Sequence, residues 1–165
     1  MKLNKKVNIL LLILCLICLT ACESKQQKAK KSVSSTDSNV LHCTRKAQAT
    51  DAKTELNYSI YYNGDYVVKT VSVEKITSDD KDVLNKYKEA YEKVFAPYKN
   101  IDYYDNTVSL TGNNVISTTV IDYEKVDTSK ILAIEGEEGN IFESDGKIKK
   151  DTLVTMYKKY GTTCK

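Results

Sequence analysis

The sequence predicts an α+β domain: a mainly antiparallel sheet of hairpins, with one long amphipathic helix and a C-terminal helix. Three observations predict it. Two alternating apolar runs flank Asn63-Gly64. A run dense in Val, Ile and Thr, residues 115–123, follows the turn residues Gly112-Asn113-Asn114. Residues 83–95 and 153–160 place apolar side chains at helical spacing. Hairpins with segregated helices belong to the α+β class.

The first hairpin is the clearest element. Leu56, Tyr58, Ile60 and Tyr62 alternate with Glu55, Asn57, Ser59 and Tyr61. After Asn63-Gly64, Val67, Lys69, Val71 and Val73 alternate again, with Lys69 the one charged member. Asn-Gly suits a type I′ turn, where both central residues need positive φ. A two-residue loop there sets Tyr62 opposite Asp65, Ile60 opposite Val67 and Leu56 opposite Val71. Turn and pattern then agree on a register with the apolar residues on one side. Residues 40–50 are expected to add an earlier strand.

Thr77-Ser78-Asp79-Asp80 opens the long helix, with a hydroxyl cap and acids in its first turn. Val83, Tyr87, Tyr91, Val94 and Phe95 form its apolar stripe, and Pro97 stops it. Such a stripe reads as core rather than as a cofactor contact. Tyr104, Asn106, Val108 and Leu110 lead into the second hairpin. Asp127-Thr128-Ser129 caps a short helix through Leu132, and Glu135-Gly136-Glu137-Glu138-Gly139 begins a loop. Lys150 to Tyr160 forms the last helix, with Leu153, Met156, Tyr157 and Tyr160 on one face and Gly161 at its C-terminus.

The N-terminus carries a different message. Lys2, Lys5 and Lys6 precede an apolar run from Val7 to Leu19, and Leu19-Thr20-Ala21-Cys22 follows. A positive start, a short apolar core and small residues before a cut describe a secretory signal peptide. The run is short for a spanning helix, which needs about 20 residues. Its last four residues resemble the lipobox of bacterial lipoproteins, in which the Cys thiol accepts a diacylglyceryl group. Cys22 is therefore the expected lipidation site and the first residue of the mature chain. The competing reading is a plain signal peptide or anchor helix with an incidental Cys. Cys15 and Cys18 fall in the discarded segment and read as apolar fillers.

The expected layout is a signal peptide at 1–21, a lipidated Cys and flexible tether at 22–41, and a single domain at 42–165. Residues 23–41 are rich in Lys, Ser and Gln and hold too few apolar groups to offset their ordering entropy. As a coil, the tether would hold the domain on the order of 20–25 Å from the membrane. Lys25, Lys28, Lys30 and Lys31 could rest on anionic headgroups, at about 1 kcal/mol each at best. A solvated spacer is the plainer reading.

Taking Lys2, Lys5 and Lys6 from the 25 basic residues leaves 22, against 22 acidic. The mature chain is formally balanced, and its short basic runs lack interleaved aromatics, so nucleic acid is not an expected partner. The expected partners are the membrane, through the N-terminal lipid outside the cytoplasm, and an envelope protein. All 12 Tyr lie in the mature part, which has no Trp. They read as sheet core, and alternatively as the lining of a ligand or partner surface.

The domain holds two Cys, Cys43 at its start and Cys164 one residue from the end. An exported compartment permits a disulfide between them, worth about 2–4 kcal/mol. Two free thiols, or a metal site with His42, are the alternatives. His42 is the only His and no second ligand cluster accompanies it, so no metal site is expected. Glu135, Glu137, Glu138 and Asp145 do not match an EF-hand spacing and read as a solvated acidic loop.

Several stretches resemble the YehR-like lipoproteins. Tyr62-Asn63-Gly64-Asp65-Tyr66-Val67-Val68-Lys69 resembles their first hairpin. Tyr98-Lys99-Asn100-Ile101 is similar to a segment after their long helix, and Ile121-Asp122-Tyr123-Glu124-Lys125-Val126-Asp127 to the end of a later strand. The order and spacing agree over roughly residues 54–160, and both have an N-terminal lipobox. The resemblance implies a small α+β envelope lipoprotein. It brings no activity, because the family is a domain of unknown function, and no catalytic residues. The Cys43/Cys164 pair is not part of that family pattern.

No catalytic residue or cofactor is expected. A Ser-His-Asp arrangement would have to use His42 at the edge of the fold, and a Cys nucleophile one of the paired cysteines. No Gly-rich loop suited to phosphate occurs. A non-catalytic binding or interaction domain is the leading reading. A small-ligand or glycan-binding module using tyrosines and an unrecognised hydrolase are the alternatives. A tyrosine-flanked pocket favours the module, and convergent carboxylates with raised pKa favour the hydrolase.

Overall fold

The computed structural model describes residues 39–136 and 140–165. The expected signal peptide, the expected lipidation site Cys22, the expected tether up to residue 38, and Glu137, Glu138 and Gly139 lie outside the described residues. Six strands form one antiparallel sheet: β1 (Asn39–Gln48), β2 (Lys53–Asn63), β3 (Tyr66–Thr77), β4 (Tyr104–Thr111), β5 (Asn114–Asp122) and β6 (Thr163–Cys164). Their order across the sheet is β4-β5-β3-β2-β1-β6. Among the described residues three α-helices accompany them: α1 (Lys81–Phe95), α2 (Thr128–Glu135) and α3 (Lys150–Lys159). The class is α+β, as the pattern predicts. β1 begins at Asn39, ahead of the expected domain start at His42, so residues 39–41 belong to the sheet.

Register departs from the expectation at the first hairpin. Asn63 pairs with Tyr66, leaving Gly64 and Asp65 as the turn, with Gly64 at φ +56°. Tyr62 pairs with Val67 but Tyr61 pairs with Lys69, so Val68 has no partner in β2. This bulge adds a residue to β3 and exchanges its faces. Ile60 therefore lies opposite Thr70, not Val67, and Leu56 opposite Glu74, not Val71. Before the bulge Val67 points into the core. After it, Thr70, Ser72, Glu74 and Ile76 share the inner face, and Val71 and Val73 turn outward. The strand gains a buried Ile76, packed with Leu84 and Val115. It also gains an outer-face ion pair, Lys75 to Glu55, at 3.1 Å. Lys69, the odd member of the alternation, sits outward over the Tyr61 ring at 5.5 Å.

The helices cover the inner face in two places. Asp80, not a hydroxyl residue, caps α1 and accepts from the N–H groups of Asp82 and Val83 at 2.8 and 3.3 Å. Ser78 accepts from the Asp80 N–H at 3.1 Å and so fixes the approach to that cap. Leu84, Tyr91 and Phe95 of α1 bury against Ile76, Tyr104 and Val115. Pro97 falls in the 3₁₀ turn Ala96–Tyr98 that ends the helix. The second cluster joins Leu153 and Tyr157 of α3 to Cys43, Ile60, Val67 and Ile148. Its helix starts against the first hairpin: Val67 N–H donates to Ile148 O at 3.0 Å, and Lys150 N–H to Asp65 O at 2.8 Å. The short helix α2 is capped by Asp127, as expected, and runs on to Glu135 rather than stopping at Leu132.

Candidate functional site

Between these two clusters the inner face is polar. Thr70, Ser72 and Glu74 stand along β3, with Ser117 and Thr119 beside them on β5. Thr70, Glu74, Ser117 and Thr119 are all buried. Packing apolar side chains there would cost less, because a buried polar group loses its water. These groups instead floor a cavity of about 650 Å³. Its walls carry Tyr58, Phe95, Tyr104, Tyr123, Phe142 and Tyr157, drawn from the sheet, α1, α3, the turn after β5 and the loop between α2 and α3. Arg45 of β1 and Glu135 of α2 also line it.

Hydrogen bonds hold part of the floor. Asn106 Nδ2 of β4 donates to Thr119 Oγ1 at 2.9 Å and Ser117 Oγ at 3.2 Å. Rings stiffen the walls: Tyr58 stacks on Tyr157 with centroids 4.1 Å apart, and Tyr98 on Tyr104 at 4.6 Å. Burial pushes the phenols of Tyr58, Tyr104 and Tyr157 well above their ordinary range, and that of Tyr123 up to about 12. All four stay neutral at physiological pH and act through ring faces and hydroxyls.

Glu74 is the unusual group. It is only 9 % exposed, and burial pushes its carboxyl up to about 7. The Tyr91 hydroxyl and the more distant charge of Arg45 oppose that rise without cancelling it. The Tyr91 hydroxyl, itself buried, has no hydrogen bond of ordinary geometry. Glu135 is also raised by burial, and it accepts from the Tyr98 hydroxyl at 3.1 Å. Different neighbours surround the two carboxyls: Tyr58, Tyr87, Tyr91 and Arg45 around Glu74; Tyr98, Tyr104 and Tyr123 around Glu135. Both carboxyls line the same recess.

The residues singled out by sequence fare differently. Cys43 and Cys164 are joined, with an S–S distance of 2.06 Å. They are directly opposite on β1 and β6. The neighbouring pair, His42 and Lys165, exchanges both backbone hydrogen bonds, at 3.0 and 2.8 Å. Cys43 and Cys164 thus form the non-hydrogen-bonded pair, where side chains approach most closely. His42 is exposed, with Nδ1 3.1 Å from Ser59 Oγ. Among the described residues no group of three His, Cys, Asp or Glu could hold a metal ion. Asp145 is tied to Lys147 at 2.7 Å, whereas Glu135 turns into the cavity.

Sequence reasoning missed Glu74 and Arg45. Two signals pointed to them. Arg45 is the one arginine among 25 basic residues. Glu74 is an acid inside the apolar run from Val67 to Ile76. Neither signal gives a location until the bulge sets the face of β3.

No family model matches the sequence, and no curated protein sequence matches it. The fold is similar to the NMR structure of the E. coli YehR protein, with a TM-score of 0.55 and 21 % identity over 78 % of this chain and 93 % of that one. An NMR structure of a Streptococcus pneumoniae TIGR4 protein aligns at a TM-score of 0.48 and 14 % identity, over 90 % of this chain and 99 % of that one. The second likeness is too distant to carry an argument. The first shows a YehR-like fold, and at that identity it shows the fold alone.

Proposed function

We propose that this chain is an exported, lipid-anchored envelope protein whose domain binds a small ligand in the cavity between sheet and helices, without catalysing a reaction on it. The supporting observation is the cavity itself: a polar floor where apolar core would be cheaper, enclosed by aromatic walls. Ligand sites have this composition, with few convergent polar groups in a mostly apolar recess of roughly 300–1,000 Å³. Glu74 and Glu135 both line the recess with carboxyls raised by burial, so a hydrolase stands as the second reading. Charge balance in the mature chain gives no reason to propose nucleic acid.

Two measurements test this reading. In the first, Cys22→Ser should move the protein from the membrane fraction to the soluble fraction or leave it unprocessed. A processed, membrane-bound variant would contradict the anchor. In the second, the purified protein is screened by thermal shift against small polar metabolites and oligosaccharides. A ligand at about 100 times its Kd should add about 2.7 kcal/mol of stability. Its amide shift changes should fall on Ser72, Glu74, Thr119 and Tyr157. Changes confined to the outer sheet face at Val71, Ile116 and Val120 would favour a protein partner and overturn the cavity.

A further inference from the structure

Resting on the ligand-site reading, we infer that the cavity takes a small zwitterion of the amino-acid or short-peptide class, its ammonium meeting Glu74 and its carboxylate meeting Arg45. The argument begins with register. Arg45 pairs with Leu56, and Leu56 with Glu74. The two charged residues occupy one row of the inner face, two strands apart, a backbone separation of about 10 Å. Both line the cavity, and Leu56 lies between them.

No ion pair joins the two charges directly, although Arg45 acts on Glu74 at longer range. No ion pair or hydrogen bond holds the Arg45 side chain, and no cation lies within ion-pair distance of Glu74, among the described residues. Tyr91 from α1 and Arg45 from β1 act on Glu74, and Glu74 in turn acts on Tyr58 of β2 and Tyr87 and Tyr91 of α1. A buried charge left without a partner is costly. Opposite charges held apart across a recess are what a ligand carrying both would satisfy. A simple anion would leave Glu74 unmatched, and a simple cation would leave Arg45 so.

The residue types fit the two roles. Guanidinium presents a planar fork that matches a carboxylate in bidentate fashion, which an ammonium does not. This chain otherwise uses lysine for positive charge, and its one arginine lines the cavity, as Lys159 of α3 also does. Leu56, Phe95 and the Tyr58 ring offer apolar contact to a side chain of the ligand, and Ser72 and Ser117 offer hydroxyls to its amide groups. A volume of about 650 Å³ leaves room for more than one residue.

The test is isothermal titration calorimetry of the purified protein, with amide shift mapping. The probes are a leucine–phenylalanine dipeptide, its N-acetyl form, its C-terminal amide and glucose. The free dipeptide should bind, and removing either charge should weaken it roughly tenfold or more. Glu74→Gln should lose the preference for the free amine but keep that for the free carboxylate. Arg45→Gln should do the reverse. A merely structural role for either residue would change both preferences alike. Cavity shifts with glucose and none with the dipeptide would overturn the zwitterion and keep a ligand site. Dipeptide shifts on the outer face only would overturn both.

Discussion

Glu74→Gln is expected to stabilise the fold by up to about 3 kcal/mol at pH 8 and to leave it unchanged below pH 4. The folded-state carboxyl is pushed up to about 7 from an ordinary value of 4.5. Below the lower value both states hold the proton and there is no penalty. Between the two values the folded state keeps a proton that the unfolded state has released, so stability falls as pH rises. Above the higher value both are ionised and the loss is constant. At about 1.4 kcal/mol per pH unit, the interval gives about 3 kcal/mol, an upper figure because the group touches the cavity. Glutamine has the same shape and no charge to bury. Unfolding by urea at pH 4, 6 and 8 checks this. Glu135 contributes a slope of the same sign in both proteins, so the difference between the curves reports on Glu74. Equal slopes would show that Glu74 carries no such penalty. A position where a neutral isostere is more stable is where a stability cost has been kept for another purpose.

Removing the Cys43–Cys164 bond by a double alanine substitution should cost about 2–4 kcal/mol. The bond spans a sequence separation of 121, so it restricts the unfolded chain strongly. The folded state gives a second reason. β6 is two residues long and pairs with β1 only at Cys43 and Thr44, with the His42–Lys165 backbone hydrogen bonds just beyond its end. Without the bond this short strand has little to keep it in place. It directly follows α3, which supplies Leu153, Met156 and Tyr157 to the cavity wall. Hydrogen exchange should therefore quicken first in β6 and the C-terminal turn of α3, while β2, β3 and β5 keep their protection. Urea unfolding of the double variant measures the loss. Unchanged stability with unchanged exchange in β6 would count against this account.

Local signals carried most of the elements. Asn63-Gly64, the helical stripe ending at Pro97 and the turn at Gly112 each act within a few residues, so the sequence displays them directly. The hydroxyl cap expected for α1 failed at the smallest scale, because Ser78 and Asp80 are both competent caps and only the chain's path chooses between them. The register of β3 failed for a larger reason. Alternation shows which residues share a face, but not that a bulge at Val68 will exchange the faces midway. Val71 and Val73 look like core and stand outward. Ser72 and Glu74 look like surface and stand inward.

The division between sequence and tertiary structure follows from range. By itself the sequence determined the α+β class, the hairpins and helices, and the two cysteines available for a terminal bond. Each depends on neighbours along the chain or on composition. Only the tertiary structure decided that Arg45, Glu74 and Glu135 line one recess. They come from β1, β3 and α2, far apart in the chain, and their meeting depends on pairing across four strands and on where α1 and α3 leave the inner face uncovered. A buried charge is costly because of what surrounds it, and what surrounds Glu74 is set by the packed fold.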